Sequence, residues 1–319
     1  MSRLMTERRF AAMGTRVHVI AVDGPPDLTF VAGERIDELE RRWSRFRADS
    51  ELNEVNDAAG SDVEVSHDTW VLVSKACQAW RLSQGAFDPT VASAMDANGY
   101  DRPFDELCAA PVATARPSRV APGCADIELD DRRRSVRLPR GVRIDPGGIG
   151  KGLAADIVAA EMMRAGAGGA LVNIGGDLVA LGEPPSGDRW WVEIDEPTVC
   201  PLPLTTVGIE RGALATSVTT RRRWVTDDGD RHHLVDPRTG APTETETVLA
   251  SALACEGWLA EITTKAHVVG RVSPALASVP ALVLRSDGRL EAHAGFHDHI
   301  ADLEPVAPAE ALSGGHGHE

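Results

Sequence analysis

The sequence predicts a mixed α+β fold built largely from antiparallel strands. Segments with strand-like alternation and segments with helical periodicity follow one another irregularly, without the regular strand–helix repeat of a doubly wound parallel sheet. The 319 residues are 43% apolar and 25% charged, which is ordinary for a globular chain. They contain no run of about 18 apolar residues, so no transmembrane helix is expected.

Local patterns predict most elements in order. Residues 16–22 alternate as a strand does, and apolar residues recur every three or four positions over 28–43 and 68–83, which predicts two helices. Residues 103–140 are rich in Pro, Ala and Arg, which favours loops and a short hairpin. Later patterns predict helices over 150–165 and 256–269, strands over 170–174, 190–194, 206–226 and 247–254, and a hairpin over 279–292 that turns at residues 287–288.

One domain made of two intimate lobes is expected over residues 1–302. Chain length allows one large domain or two intimate ones, because a domain typically has roughly 100–200 residues, and the family resemblance given below implies the single two-lobed unit. After about residue 303 the composition changes to Pro, Ala, Glu and Gly. Residues 303–319 are therefore expected to form a flexible tail.

Charge and cysteine content exclude several functional classes. The chain has 33 basic and 48 acidic residues, a net charge of −15, so a nucleic-acid-binding face is not expected. An anion would have to be held locally, by a helix N-terminus, a glycine loop, a metal ion or a single lysine. The five cysteines lack a Cys-x-x-Cys pair, which argues against a zinc knuckle or disulfide framework. No secretory signal or lipoprotein-type cysteine stands near the start, so a cytoplasmic location is expected.

The richest chemical pattern lies in residues 145–156, where four glycines surround Lys151 at a strand-to-helix junction. Glycines allow a ligand to approach the backbone, and a helix start offers free N–H groups to an anion. A P-loop would need Ser or Thr at Gly152, and a dinucleotide loop would need Gly at Leu153. The segment predicts an anion site of another kind, or else a glycine-rich turn with an exposed lysine.

Two segments suit either a ligand contact or a simple turn. Residues 173–177 place a carboxylate after two glycines. Residues 85–90 place Phe87, which could stack on a ring, and Asp88, which could accept a hydrogen bond from one, directly after a helix. In both segments the alternative is a tight turn or a helix stop without a ligand.

Three other segments carry charge or proton-transfer groups. His233 precedes Asp236 by three residues, which suits a proton-transfer pair or a surface hairpin. The arginines of residues 221–223 could hold phosphate, although a solvated face is favoured. Residues 261–265 offer oxygen ligands for Mg²⁺, or a Glu–Lys surface pair at i,i+4 spacing.

Taken in chain order, these segments resemble one family, the ApbE-type flavin transferases, or FAD:protein FMN transferases. The resemblance covers about residues 10–270. It rests on short motifs, each weak or moderate alone, that rarely occur in this order by chance. The motifs are residues 13–15, 44–46, 49–52 with Asn56, 85–90, 145–156, 173–177, 215–217 and 233–240.

The resemblance implies an ApbE-like fold that holds FAD in a cleft between two lobes. It implies transfer of FMN from FAD, through a phosphoester bond, to a Thr or Ser hydroxyl of an acceptor protein, with release of AMP. FAD is then a substrate, and Mg²⁺ is the implied metal. Two alternatives stay open: a Mg²⁺-dependent FAD pyrophosphatase that gives FMN and AMP, and a non-catalytic FAD-binding protein.

The resemblance also implies roles for individual residues. His233 matches the family's reactive-site histidine, and Lys151 and Asp236 are expected to act beside it. Phe46 stands where the family usually has Tyr, which preserves stacking on the flavin and loses a phenol hydrogen bond. The residues expected to bind FAD are Met13, Phe46, Ala86, Phe87, Asp88, Leu153, Asp156 and Ser217.

The implied metal site is where this chain departs from the family. The family holds its metal with the carbonyl before the loop lysine, here Gly150, and with an Asp and a Thr four residues apart on the last helix. One register places Ala260 and Thr264 there, and a shift of one residue places Glu261 and Lys265 there. The expected metal ligands are therefore Gly150, Glu261 and Thr264.

Overall fold

A computed structural model describes residues 3–109, 119–196, 198, 200, 203–227 and 229–301 of the chain. Within these residues it contains seven α-helices. They are α1 (Leu28–Trp43), α2 (Glu51–Asp57), α3 (His67–Leu82), α4 (Ala92–Ala97), α5 (Phe104–Ala109), α6 (Gly150–Arg164) and α7 (Gly257–Val268). The predicted tail, residues 303–319, lies outside the described residues.

The strands make up one large sheet and three small ones. They are β1 (Met5–Ala12), β2 (Thr15–Val22), β3 (Val63–Glu64), β4 (Glu128–Asp130), β5 (Ser135–Arg137), β6 (Gly169–Ile174), β7 (Asp177–Gly182), β8 (Trp190–Ile194), β9 (Thr205–Ile209), β10 (Gly212–Val218), β11 (Arg223–Thr226), β12 (Gly229–His232), β13 (Thr247–Ala254), β14 (Ala281–Arg285), β15 (Leu290–His293) and β16 (Ile300–Ala301).

The central sheet has eight strands in the order β1-β2-β6-β7-β10-β13-β14-β15. All of its strand pairs are antiparallel, which confirms the predicted mixed α+β class with antiparallel pairing. The small sheets have the orders β16-β9-β8, β3-β5-β4 and β11-β12. None of the helices in the described parts of the chain is long and apolar enough to span a bilayer.

Two hydrophobic cores cover the two faces of the central sheet. Because successive strand side chains point to opposite faces, neighbouring residues of one strand enter different cores. In β6, Ala170, Val172 and Ile174 join the core beneath helices α1, α6 and α7, whereas Leu171 joins the core shared with β8 and β9. A helical layer thus packs on one face and a three-stranded sheet on the other.

Helices α6 and α7 meet backbone to backbone at two glycines. A Cβ built on Gly152 would lie 2.5 Å from the carbonyl carbon of Gly257, and a Cβ on Gly257 would lie 2.5 Å from the carbonyl oxygen of Gly152. Only glycine permits so close an approach. The contact brings Lys151, at the start of α6, close to the side chains of α7.

Candidate functional site

A cavity of about 410 Å³ opens where several distant segments converge. Its wall is formed by the β1–β2 turn, the end of α1, residues 85–91, the glycine loop before α6, residues 233–237 and the end of α7. Most of these segments carry the motifs singled out in the sequence. The fold therefore assembles into one wall residues that are far apart in the chain.

One end of the cavity is aromatic. The ring of Tyr100 lies 5.7 Å from Phe46, 6.3 Å from Phe104 and 5.3 Å from Trp224, between ring centroids. The guanidinium of Arg45 lies 4.1 Å from the centre of the Phe46 ring. Phe46, Tyr100 and Phe104 line the cavity, and such a surface suits stacking on a planar ligand.

The β1–β2 turn forms part of the rim. Met13 and Gly14 both have positive φ, 51° and 64°, the geometry of a two-residue hairpin turn. The Met13 N–H donates to the Glu40 carboxylate at 2.7 Å, which ties the turn to α1. The left-handed conformation of Met13 costs on the order of 1 kcal/mol and is found mainly where the surroundings enforce it.

The segment after α3 places two expected residues on the wall. Phe87 lies against the glycine loop, because a Cβ on Gly148 would come within 2.9 Å of its ring. The Asp88 carboxylate accepts hydrogen bonds from the Thr90 N–H at 2.8 Å and the Thr90 hydroxyl at 2.6 Å. Burial raises the pKa of Asp88, and these hydrogen bonds oppose the rise.

Lys151 lies at the cationic end of the cavity, where Lys265 also stands. Its ammonium pairs with Asp177 and lies 3.3 Å from a Glu261 carboxylate oxygen. Asp177 is held there by a two-glycine turn, since Gly175 and Gly176 both have positive φ between β6 and β7. Burial lowers the pKa of Lys151 to about 8, and the Glu261 carboxylate opposes that fall.

A second lysine of the wall, Lys265, is anchored by a hydrogen-bonded chain. The Thr264 hydroxyl donates to the backbone carbonyl of Glu261 at 2.7 Å, so it accepts from the Ser217 hydroxyl at 2.6 Å. Ser217 in turn accepts from the Lys265 ammonium at 2.8 Å. This order of donors follows because each hydroxyl has a single proton.

Arg222 also reaches the cavity, although a solvated position was favoured for residues 221–223. Its guanidinium donates to the Gly14 carbonyl at 3.0 Å. Its backbone has a φ of 50°, a conformation rarely adopted by residues other than glycine. Arg222 also hydrogen-bonds the Tyr100 side chain and lies near Lys151 and Lys265, so positive charge gathers on this wall in a chain of net charge −15.

His233 stands between the charged end and the rest of the wall. Its Nδ1 atom is buried and has no hydrogen-bond partner among the described residues. Burial, then the charges of Arg222 and Lys265, lower the pKa of His233 well below its usual range. The imidazole is thus neutral at pH 7 and able to accept a proton.

Asp236 does not form the expected pair with His233. Its carboxylate is instead bound by two guanidiniums, Arg271 at 3.0 Å and Arg238 at 3.2 Å. Asp236 also accepts from the Arg238 N–H at 2.9 Å, which closes the turn after it. Asp236 therefore stabilises a turn and does not form a proton relay with His233.

Comparison with known proteins decides the family. Residues 13–282 match the sequence model of the ApbE family. This chain belongs to the ApbE family. A protein of Vibrio cholerae named FAD:protein FMN transferase is 30% identical over 225 residues, 68% of this chain and 66% of that relative. One of Haemophilus influenzae with the same name is 26% identical over 278 residues, 81% of this chain and 79% of that relative.

Solved structures of ApbE proteins share the fold. The ApbE protein of Thermotoga maritima superimposes with a TM-score of 0.81 at 24% identity, over 94% of this chain and all of that one. The flavinyl transferase ApbE of Pseudomonas stutzeri gives 0.77 at 22% identity, over 95% and 99% of the two chains. The predicted ApbE-like fold is thereby confirmed.

The residues that the ApbE resemblance implies fall into two groups. The first lines the cavity: Met13, Phe46, Ala86, Phe87, Asp88, Gly150, Lys151 and His233. The second lies beneath or beside the wall: Leu153, Asp156, Ser217, Asp236, Glu261 and Thr264. Sequence reasoning left out Tyr100, which comes from a segment without a local motif, gave Arg45 no role of its own in the motif 44–46, and favoured a solvated face for Arg222.

Asp156 holds helix α7 instead of facing the cavity. Its carboxylate accepts from the Gly257 N–H at 2.7 Å and the Trp258 N–H at 3.1 Å, the first free donors of α7. Burial raises the pKa of Asp156 to about 7, and the two N–H groups oppose the rise. The side chain thus positions α7, and through it Glu261 and Lys265.

Asp156 is expected to make folding stability fall with rising pH. An unfolded aspartate titrates near 3.9. The contribution of the folded carboxyl is therefore complete below about pH 4 and is lost as the pH rises through about 7. We expect urea unfolding to show a smaller decrease in unfolding free energy between about pH 5 and 8 for Asp156→Asn than for the parent. Equal decreases in the two proteins would contradict this assignment.

Proposed function

We propose that this chain is an FAD:protein FMN transferase, which moves FMN from FAD onto a Thr or Ser hydroxyl of an acceptor protein and releases AMP. The observation that carries the proposal is that one cavity is lined by aromatic side chains, by five cationic side chains and by His233, whose buried Nδ1 atom has no hydrogen-bond partner among the described residues. The ApbE membership and relatives named for this activity support it.

The two ends of the cavity match the two chemical parts of FAD. Phe46 and Tyr100 offer ring faces on which a planar flavin or adenine can stack. Lys151, Lys265 and Arg222 offer charge-assisted hydrogen bonds to a pyrophosphate. The N-terminus of α6 adds its helix dipole, although the Gly150 N–H already donates to the Pro146 carbonyl and the Gly152 N–H to Glu261.

The chemistry requires one proton acceptor and stabilisation of a departing phosphate. His233 would take the proton of the acceptor hydroxyl as its oxygen attacks the phosphorus of the FMN part. The bond from that phosphorus to the bridging oxygen breaks, and AMP departs with the electron pair. Catalysis of this kind consists mostly of positioning and charge neutralisation, which the cationic end supplies.

The expected metal ligands do not fit a divalent cation in this structure. The Gly150 carbonyl lies in the first turn of α6, where carbonyls point along the helix to accept from the N–H four residues later. Thr264 uses its hydroxyl within the helix and with Ser217. Glu261 already accepts from the Gly152 N–H at 2.9 Å and neighbours two ammonium groups. The proposed reaction therefore uses no divalent cation.

Incubation with FAD, with and without candidate acceptor proteins, tests the proposed function. Transfer predicts an FMN-sized mass increase on a Thr or Ser of the acceptor, together with one AMP for each FMN attached. Free FMN formed at the same rate without acceptor would instead identify an FAD pyrophosphatase. Bound FAD with neither product would identify a flavin-binding protein.

A further inference from the structure

The cationic end of the cavity contains lysine, a residue type that is rare in this chain. The chain contains only three lysines, Lys75, Lys151 and Lys265, beside 30 arginines. Two of the three line the same cavity, on the first turn of α6 and the last turns of α7. Their ammonium groups share one partner, since a Glu261 carboxylate oxygen lies 3.3 Å from Lys151 and 3.8 Å from Lys265.

Glu261 and Asp177 together balance the charge of these two lysines, and Glu261 has little capacity left for a metal. The side chain is fully buried, and its second oxygen accepts from the Gly152 N–H at 2.9 Å. A divalent ion beside Glu261 would stand next to two ammonium groups, and like charges at such distances repel strongly in a buried site. Among the described residues, no three His, Cys, Asp or Glu side chains cluster as metal ligands would.

Lys265 is placed to act on a ligand. It is fixed through Ser217 and Thr264, and its Cε carbon lies 3.7 Å from the Cβ position of Gly148 in the glycine loop. Its ammonium therefore lies at the part of the cavity wall that the glycine loop forms. A pyrophosphate held by that loop would meet the ammonium directly.

We propose that the Lys265 ammonium, together with Lys151, supplies the charge that binds the FAD pyrophosphate and stabilises departing AMP, so that this chain needs no divalent cation. This inference rests on the proposed function. In the step itself, the acceptor oxygen bonds to the FMN phosphorus and the hydroxyl proton passes to His233. The bond to the bridging oxygen breaks, and Lys265 donates a hydrogen bond to the phosphate oxygen that gains charge. Nothing is oxidised or reduced.

Flavin binding in EDTA tests the inference without an acceptor protein. FAD and riboflavin, which lacks phosphate, are titrated by flavin fluorescence into the parent, Lys265→Met and Lys75→Met. Losing one charge-assisted hydrogen bond is worth about 1.5–3 kcal/mol, so Lys265→Met should bind FAD about 10- to 100-fold more weakly. Its affinity for riboflavin should not change. Lys75, which pairs with Glu256 outside the cavity, is the matched lysine, and its variant should bind both ligands as the parent does.

Measurement of FAD affinity and FMN transfer for the parent, in EDTA and in excess Mg²⁺, completes the test. Equal FAD affinity and equal FMN transfer in the two conditions are expected. FAD affinity at least tenfold higher with Mg²⁺, transfer that occurs only with Mg²⁺, or unchanged FAD affinity in Lys265→Met would each overturn the inference and leave the transferase proposal intact. If FAD binds as expected in EDTA but no acceptor is labelled in either condition, the transferase activity fails while the lysine pair stands as the pyrophosphate site.

Discussion

Replacement of His233 by alanine is expected to reduce FMN transfer by about 10²- to 10⁴-fold, the usual contribution of a positioned general base. FAD binding should be preserved within a few-fold, because the lysines, Arg222 and the aromatic wall stay in place. Mass spectrometry of the acceptor gives the transfer rate, and flavin fluorescence gives the affinity. Comparable losses in both quantities would show that His233 holds the ligand instead of accepting a proton.

His232 provides the control for this experiment. Its ring lies on the other side of the strand, where Nδ1 accepts from the Leu234 N–H at 3.3 Å and Nε2 lies 3.2 Å from the Thr243 carbonyl. His232→Ala should lower the free energy of unfolding and leave the rate of FMN transfer close to that of the parent. An inactive His232→Ala beside a normal His233→Ala would reverse the two roles.

The same histidine sets the acid side of the pH profile. Burial and neighbouring cations depress the pKa of His233, so the neutral base persists on acidification until the pH is well below 6.5. Transfer by the parent should therefore change little between about pH 8 and pH 6 through this group. A loss of activity centred near 6.5 would indicate an exposed, unperturbed histidine.

Substitution of Gly152 by alanine is expected to lower the free energy of unfolding strongly. The added methyl would lie 2.5 Å from the Gly257 carbonyl carbon and 2.8 Å from the Trp258 nitrogen, atoms that cannot rotate away. Overpacking typically costs about 1–3 kcal/mol, and a backbone neighbour places this case at the upper end. Urea unfolding measures the change. Because α6 and α7 must separate, the variant should also lose FAD affinity.

Gly33, inside α1, is the matched control. A methyl there would meet the flexible end of the Arg8 side chain, which can move aside. Alanine is favoured over glycine within a helix by about 0.8–1 kcal/mol. Gly33→Ala should therefore keep or raise stability. Equal destabilisation by both substitutions would mean that the backbone contact between α6 and α7 is not the reason why residue 152 must be glycine.

Periodicity predicted the longer elements, and it missed those whose pattern is weak. The spacing of Ile36, Leu39 and Trp43 correctly predicted α1, because all three are buried on one face. Strand β1 was missed because its buried face is partial and its sequence, Met5–Ala12, is dense with charge. Strand β7 was missed because it follows β6 after a turn of only two glycines, which hides the boundary between two hydrophobic runs.

The candidate site was predictable where its residues sit in compact motifs. Lys151 and His233 belong to such motifs, and the structure places both on the cavity wall. Tyr100 could not be found in this way, since only the fold brings its isolated segment to the wall. Arg222 was named with its neighbours as a possible phosphate contact, but the sequence alone favoured a solvated face for all three arginines. Asp156 lies in a motif too, but the side chain turns to α7, and sequence spacing does not show that orientation.

The contact between Gly152 and Gly257 fixes the first turn of helix α7 against α6. Lys265 lies eight residues beyond Gly257, so its backbone stands about 12 Å along the helix axis from that contact. A tilt of about 10° at the first turn would displace Lys265 by about 2 Å, most of a hydrogen bond's length. A contact that displaces the first turn of α7 at Glu256, whose side chain is 45% exposed, would therefore move Lys265 on the cavity wall by a larger distance.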